Sequence, residues 1–181
     1  MQSLSDLMAA LGSGAEAVKP PVHLWNPTRC GDIGMEILAD GSWLHEGQPI
    51  RREALVRLFA SILRKDPDGY WLVTPAEKVS VKVQDAPFLA VRAERVGEGR
   101  AQQVAFVTNV GDAVPLDGEH PLRLATAQNG EPRPYVRVRG GPGSALEALL
   151  VRRAFYDLVD WGEEREGGYG LWSGGLWWRL G

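Results

Sequence analysis

A single cysteine, Cys30, rules out any disulfide within the chain, and a reducing compartment, the cytoplasm, is the expectation that follows. An excess of positive charge is also lacking. The 20 Lys and Arg against 23 Asp and Glu leave a formal charge of −3, so the electrostatic footprint of a dedicated DNA or RNA binder is missing. His23, His45 and His120 are scattered, with no Cys or carboxylate beside them at metal-ligand spacing, which argues against a zinc site. No apolar run approaches the ~18 residues of a membrane span. No Lys or Arg precedes Lys19, so the basic start of a secretory signal is lacking. Gly140-Gly141-Pro142-Gly143-Ser144 lacks the Gly-Lys-Ser/Thr ending of a phosphate loop, and no serine stands in a nucleophile elbow. These absences favour a non-enzymatic protein with no cofactor, no nucleic-acid polymer partner and no membrane partner.

What remains is ordinary globular material. With 44% apolar and 24% charged residues the chain can build a substantial core, as one domain or two small ones. Leu4, Leu7, Met8 and Leu11 fall on one side of a short amphipathic helix, with Ser3 and Asp6 spaced as a capping box. Gly12-Ser13-Gly14 and Lys19-Pro20-Pro21 read as a linker, so residues 1–21 are expected to be an arm.

Asp40-Gly41 between Met35–Ala39 and Ser42–Glu46 marks a hairpin, because Asp-Gly accepts the positive φ of a tight turn. Leu55, Leu58, Phe59, Ile62 and Leu63 define a helix face stopped by Asp66-Pro67-Asp68-Gly69, and Tyr70–Thr74 reads as a strand. Val79, Val81 and Val83 alternate with polar residues as in a half-buried strand. Short strands follow at Phe88–Val96, Gln103–Asn109, Val114–Leu116, Leu122–Thr126 and Tyr135–Arg139, the pattern of a curved sheet or small barrel. A second helix with Phe155, Leu158 and Val159 on its apolar side is expected between about Ala145 and Gly162. Glu163–Gly168 reads as a solvated turn, and Gly174-Gly175 closes a final Trp-rich hairpin. Leu55, Leu58 and Phe59 correspond in order to Phe155, Leu158 and Val159, which suggests two halves of related topology packed together. The expected fold is therefore α+β, with an N-terminal unit over 22–76 and a β-rich unit with a helix over 77–181.

The densest collection of chemically specific residues is Trp25-Asn26-Pro27-Thr28-Arg29-Cys30-Gly31-Asp32. Arg29 beside Cys30 favours the thiolate and Asp32 opposes it, while the ordinary expectation for a lone cysteine is buried packing. Asp32 has an equally plain use, bonding backbone N–H groups at a turn. Tyr135, Arg137 and Arg139 share one strand face, where guanidiniums could clamp an anion or serve solubility. Lys78 sits where the first unit hands over to the second, the sort of junction at which small ligands bind.

The chain resembles the bacterial family catalogued as domain of unknown function 1285 over about Leu24 to Gly181. The resemblance rests on Trp25-Asn26-Pro27, Cys30-Gly31-Asp32-Ile33, Asp40-Gly41-Ser42-Trp43, Val56-Arg57-Leu58-Phe59 and Val73–Val79. It continues through Asp85-Ala86-Pro87-Phe88, Thr108-Asn109, His120-Pro121-Leu122, Phe155–Val159 and Trp172-Ser173-Gly174. Arg153-Ala154 departs from the pattern, which would carry a proline there. The resemblance implies a two-part α+β protein with repeated units, the C-terminal one pleckstrin-homology-like. It further implies a nucleotide-like ligand between the halves and a role in signalling, with no established activity.

The leading expectation is thus a cleft between the halves for a small anionic ligand. Its walls would be Trp25, Asn26, Cys30, Asp32, Lys78, Asn109, Arg139 and Tyr156. A redox response through Cys30, or an adaptor role toward a protein partner, are the alternatives.

Overall fold

The computed structural model describes residues 19–181, so the expected amphipathic helix at Leu4–Leu11 lies outside the described residues. The chain divides into two compact units. The first runs to Pro87 and includes Gly140–Ala145; the second comprises Phe88–Arg139 and Leu146–Gly181. Each sheet-forming unit carries six strands in one sheet, and one of the two sheets curls into a half-barrel.

In the first unit, β1 (Cys30–Ile37) and β2 (Trp43–His45) pair across the expected Asp40-Gly41 turn. Gly41 has φ 86°, and Asp40 Oδ1 accepts the Ser42 N–H at 2.9 Å. β1 is kinked, its register shifting between Asp32 and Met35. Asp32 Oδ1 takes the Gly34 N–H at 2.8 Å. Gly34 sits at φ 72°, where a Cβ would press on the Glu46 backbone at 3.3 Å, so only glycine fits without strain. β3 (Gln48–Pro49) borders β2.

Helix α1 (Glu53–Ser61) buries Phe59 and Ala60, and Phe59 stacks on Trp43 with centroids 6.3 Å apart. It ends earlier than its apolar periodicity suggests. Ile62 and Leu63 are fully buried, but Leu63 already opens β4 (Leu63–Asp66), paired with Leu72 of β5 (Gly69–Val73). A strand entering the core buries residues as a helix face does, and the two patterns merged in the sequence. β6 (Lys78–Val83) runs parallel to β1 and antiparallel to β5, completing the order β3-β2-β1-β6-β5-β4. The strand carrying Lys78 therefore belongs to the first sheet, and the division between units falls after Pro87 rather than near Ala76.

The second unit holds β7 (Phe88–Val96), β8 (Gln103–Thr108), β9 (Ala113–Pro115), β10 (Leu122–Thr126), β11 (Pro132–Arg139) and β12 (Leu146–Leu150), ordered β10-β11-β12-β7-β8-β9. β12 corrects the sequence reading, which gave Leu146–Leu150 to a helix. Leu-Glu-Ala-Leu-Leu is made of good helix formers, yet Leu146, Ala148 and Leu150 are 2%, 0% and 3% exposed with intermediate neighbours between them. Placement between β11 and β7 overrides local preference. Helix α2 is consequently short, Arg152–Asp160, burying Ala154, Phe155 and Leu158.

It leads into β13 (Glu163–Arg165), β14 (Gly168–Ser173) and β15 (Leu176–Arg179), a three-stranded sheet where the sequence suggested a turn and a hairpin. The buried Ser173 hydroxyl ties this sheet to the larger one, donating to Leu116 O at 2.7 Å and accepting the Val104 N–H at 2.9 Å. Both units thus run a nine-residue helix straight into an antiparallel hairpin, the repetition that the matched apolar triplets suggested.

Candidate functional site

The predicted residues prove to hold different kinds of position. Trp25 is half-buried and Asn26 exposed. The Trp25 carbonyl is held by Arg64, whose Nη1 donates to Trp25 O at 2.7 Å and to Val22 O at 2.8 Å. The same guanidinium grips Asp66 in bidentate fashion, at 2.6 and 2.8 Å. Lys78 Nζ reaches Asp66 Oδ2 at 3.1 Å and lies 4.2 Å from the Trp71 ring centroid. The Arg64 hydrogen bond, aided by Lys78 and resisted by burial, holds the Asp66 carboxyl below its ordinary range. Lys78 is thus engaged in a network that fastens residues 22–25 to β4.

Cys30 is exposed, contrary to the expectation of buried packing, because the first residues of β1 face solvent before the kink turns Met35 inward. Its Sγ lies 3.7 Å from Thr28 O. Asp32 serves the kink described above. Asn109 clamps the β7–β8 pair, its Oδ1 accepting the Leu89 N–H at 3.0 Å and its own N–H donating to Leu89 O at 2.9 Å. Arg139 lies 3.9 Å from Asp112 and 5.5 Å from the Phe88 ring centroid; burial pushes its pKa down, and the Asp112 charge opposes that.

Two hollows open within the second unit. One, of about 230 Å³, is lined by Arg95, Gln102, Asp160, Trp161, Glu163 and Trp172, among others. It already holds a cation: the Arg95 guanidinium lies 5.3 Å from the Trp161 ring centroid and donates to Gln102 Oε1 at 3.2 Å.

The other, of about 300 Å³, is lined by Glu131, Pro132, Arg133, Pro134, Leu149, Leu150, Arg152, Phe155 and Tyr156. Two prolines explain it. β11 pairs with β10 all the way to Pro132, but with β12 only from Tyr135 onward. The Arg137 N–H points to the β10 side, toward Pro121 O, so by alternation the nitrogens of Pro132 and Pro134 face β12. Lacking N–H groups, they cannot extend that ladder. The strands part there, while Leu150 stays paired with Ala90 of β7. Into the fork the first turns of α2 bring Arg152, Phe155 and Tyr156.

Tyr156 is 53% exposed, and Phe155 behind it is buried. Arg152 Nη2 lies 3.7 Å from Glu131 Oε1, and Arg133 Nε donates to the Tyr135 hydroxyl at 3.1 Å. Of the eight predicted residues Tyr156 lines this hollow, and the other seven line neither. Arg133 and Arg152 escaped the sequence reading; the Pro-Arg-Pro triplet at a strand start was the signal for Arg133, and Arg152, at the start of α2, had none. Among the described residues no three His, Cys, Asp or Glu side chains gather in a group able to hold a metal ion, and no helix is long and apolar enough to cross a membrane.

Comparison with known proteins accords with the architecture. Residues 20–86 match the family model for the N-terminal domain of domain of unknown function DUF1285, and residues 87–180 that for the C-terminal domain of the same family. A crystal structure of a DUF1285 family protein from Silicibacter pomeroyi is 48% identical, with a TM-score of 0.85, covering 96% of this chain and 93% of that one. A DUF1285 family protein from Shewanella baltica OS155 is 30% identical, with a TM-score of 0.55, covering 70% of this chain and 91% of that one. No curated protein matches. The two family models meet between residues 86 and 87, one residue before the main break between the compact units after Pro87, and the chain belongs to the DUF1285 family.

Proposed function

We propose that the chain is a non-enzymatic binding module for a small anionic, nucleotide-like ligand, held in the fork between β11, β12 and α2. The observation that carries this reading is the exposed Tyr156 ring standing beside Arg152 and Arg133 in one hollow. A phenol face offers stacking area for a flat heterocycle, and a guanidinium offers paired N–H donors to phosphate oxygens. At about 300 Å³ the hollow is at the small end of ligand sites. That favours one ring and one anionic group over a dinucleotide.

The sequence points to the junction of the two units as the place of binding; Tyr156, the predicted residue that lines a hollow, supports the second unit. We read that unit, with its six-stranded sheet and nine-residue helix, as a pleckstrin-homology-like frame, and the protein as a cytoplasmic signalling component. Isothermal titration with a panel of nucleoside monophosphates tests the reading. Heat is expected for at least one of them, abolished by Tyr156→Ala and strongly weakened by Arg152→Gln. A panel that gives no heat, or heat indifferent to both substitutions, overturns it.

A further inference from the structure

Glu131 and Arg152 stand on opposite walls of the same hollow, and their side chains meet at 3.7 Å while remaining 60% and 72% exposed. The backbone under each is fixed. The Glu131 N–H donates to Asn129 Oδ1 at 3.1 Å and its carbonyl accepts the Ala127 N–H at 2.9 Å. Arg152 follows Val151, whose N–H donates to Ala90 O at 3.0 Å. The neighbouring Arg153 is turned away to Asp157, one helical turn on, at 3.0 Å. The guanidinium that faces the fork therefore meets a carboxylate of the protein's own, through a pair exposed enough to open readily.

Resting on the binding reading above, we propose that Glu131 is the resident occupant of the anion subsite, and that a ligand binds by displacing its carboxylate from Arg152. The exchange sets the ligand class. One carboxylate replacing another gains nothing at Arg152, whereas a phosphate monoester brings close to two charges and three acceptor oxygens to the same N–H donors. The site thus selects phosphate monoesters over carboxylates of similar size, and it keeps affinity moderate so that the ligand exchanges. Glu131 acts on the ligand only through Arg152, which makes it a specificity-determining residue rather than a direct contact.

A double-mutant cycle with adenosine 5′-monophosphate as the probe, followed by titration calorimetry, tests this. Glu131→Gln is expected to tighten binding about two- to five-fold, the worth of one exposed ion pair. In the Arg152→Gln background the same change is expected to do nothing. Melting curves should be unaltered, since both side chains are exposed. A gain of equal size with and without Arg152 would mean a general field effect and would overturn the displacement. So would no gain in a protein whose binding Arg152→Gln does weaken, and in both cases the binding reading survives. Absence of heat in the wild type and in Glu131→Gln alike removes the binding reading and the inference with it.

Discussion

Replacing Arg64 by lysine keeps the charge and removes the geometry, which makes it the sharpest probe of the first unit. The guanidinium makes four hydrogen bonds: two to Asp66, at 2.6 and 2.8 Å, and two to the carbonyls of Val22 and Trp25, at 2.8 and 2.7 Å. A lysine ammonium on its flexible stem can keep one contact to Asp66 but cannot span the carboxylate and both carbonyls. Asp66 would retain Lys78, so no charge is left alone. Arg64 and Asp66 are 18% and 17% exposed, between the surface pair worth about 0–1 kcal/mol and the buried one whose breakage costs about 3–5 kcal/mol. A loss of about 2 kcal/mol is the resulting expectation. Because the chain has two compact units and a single two-state transition is not assured for such a chain, urea titration should be read together with hydrogen exchange in the first unit. The amides of Leu24 and Trp25, which donate to Pro21 O and Val22 O, should lose protection, because residues 22–25 are fastened to β4 by this guanidinium. Stability within about 0.5 kcal/mol of the wild type, together with unchanged exchange at Trp25, would refute the reasoning.

Acid should release the same network. The folded-state pKa of Asp66 is lowered, so its stabilising contribution is complete above the unfolded value of about 3.9 and is lost as pH falls through the lower folded value. The stability gap between wild type and Asp66→Asn, measured by urea titration, should therefore be constant from neutral pH to about 5 and narrow only in stronger acid; a gap already closing at pH 6 contradicts the assignment. In the second unit, Ser173→Ala leaves the buried Val104 N–H without its hydroxyl acceptor and should cost about 1–3 kcal/mol in urea unfolding, while an unchanged midpoint would show that the hydroxyl is dispensable. Cys30 should react with a disulfide reagent in native buffer without denaturant, and labelling that waits for denaturant would contradict its exposed placement at the start of β1.

Local chemistry was readable wherever a residue's role depends on its immediate neighbours. Asp40-Gly41 makes its turn because glycine accepts φ 86° there. The Val79–Val83 alternation became a strand, and the ordered motifs from Trp25 to Gly174 identified the family. Reading failed where partners are distant in sequence. Leu146–Leu150 looks helical residue by residue and is a central strand because β7, more than fifty residues earlier, pairs with it. The kink that gives Asp32 its use lies where Gly34 meets Glu46, twelve residues on, whose N–H donates to Gly34 O at 2.8 Å. Lys78 looked available for a ligand because nothing nearby in sequence announces that Asp66 and Trp71 fold onto it.

The sequence by itself determined the Asp40-Gly41 and Gly174-Gly175 turns, the presence of both helices and the family, since the turns and helices follow from backbone preferences and hydrophobic periodicity over a few residues and the family from short ordered motifs. Only the tertiary structure decided where a cavity lies. The hollow exists because two prolines on β11 cannot bond to β12 while the next element, α2, happens to deliver Arg152 and Tyr156 to the gap. Which strand is denied its partner depends on register across the sheet, and register is a property of the assembled chain, not of any stretch within it.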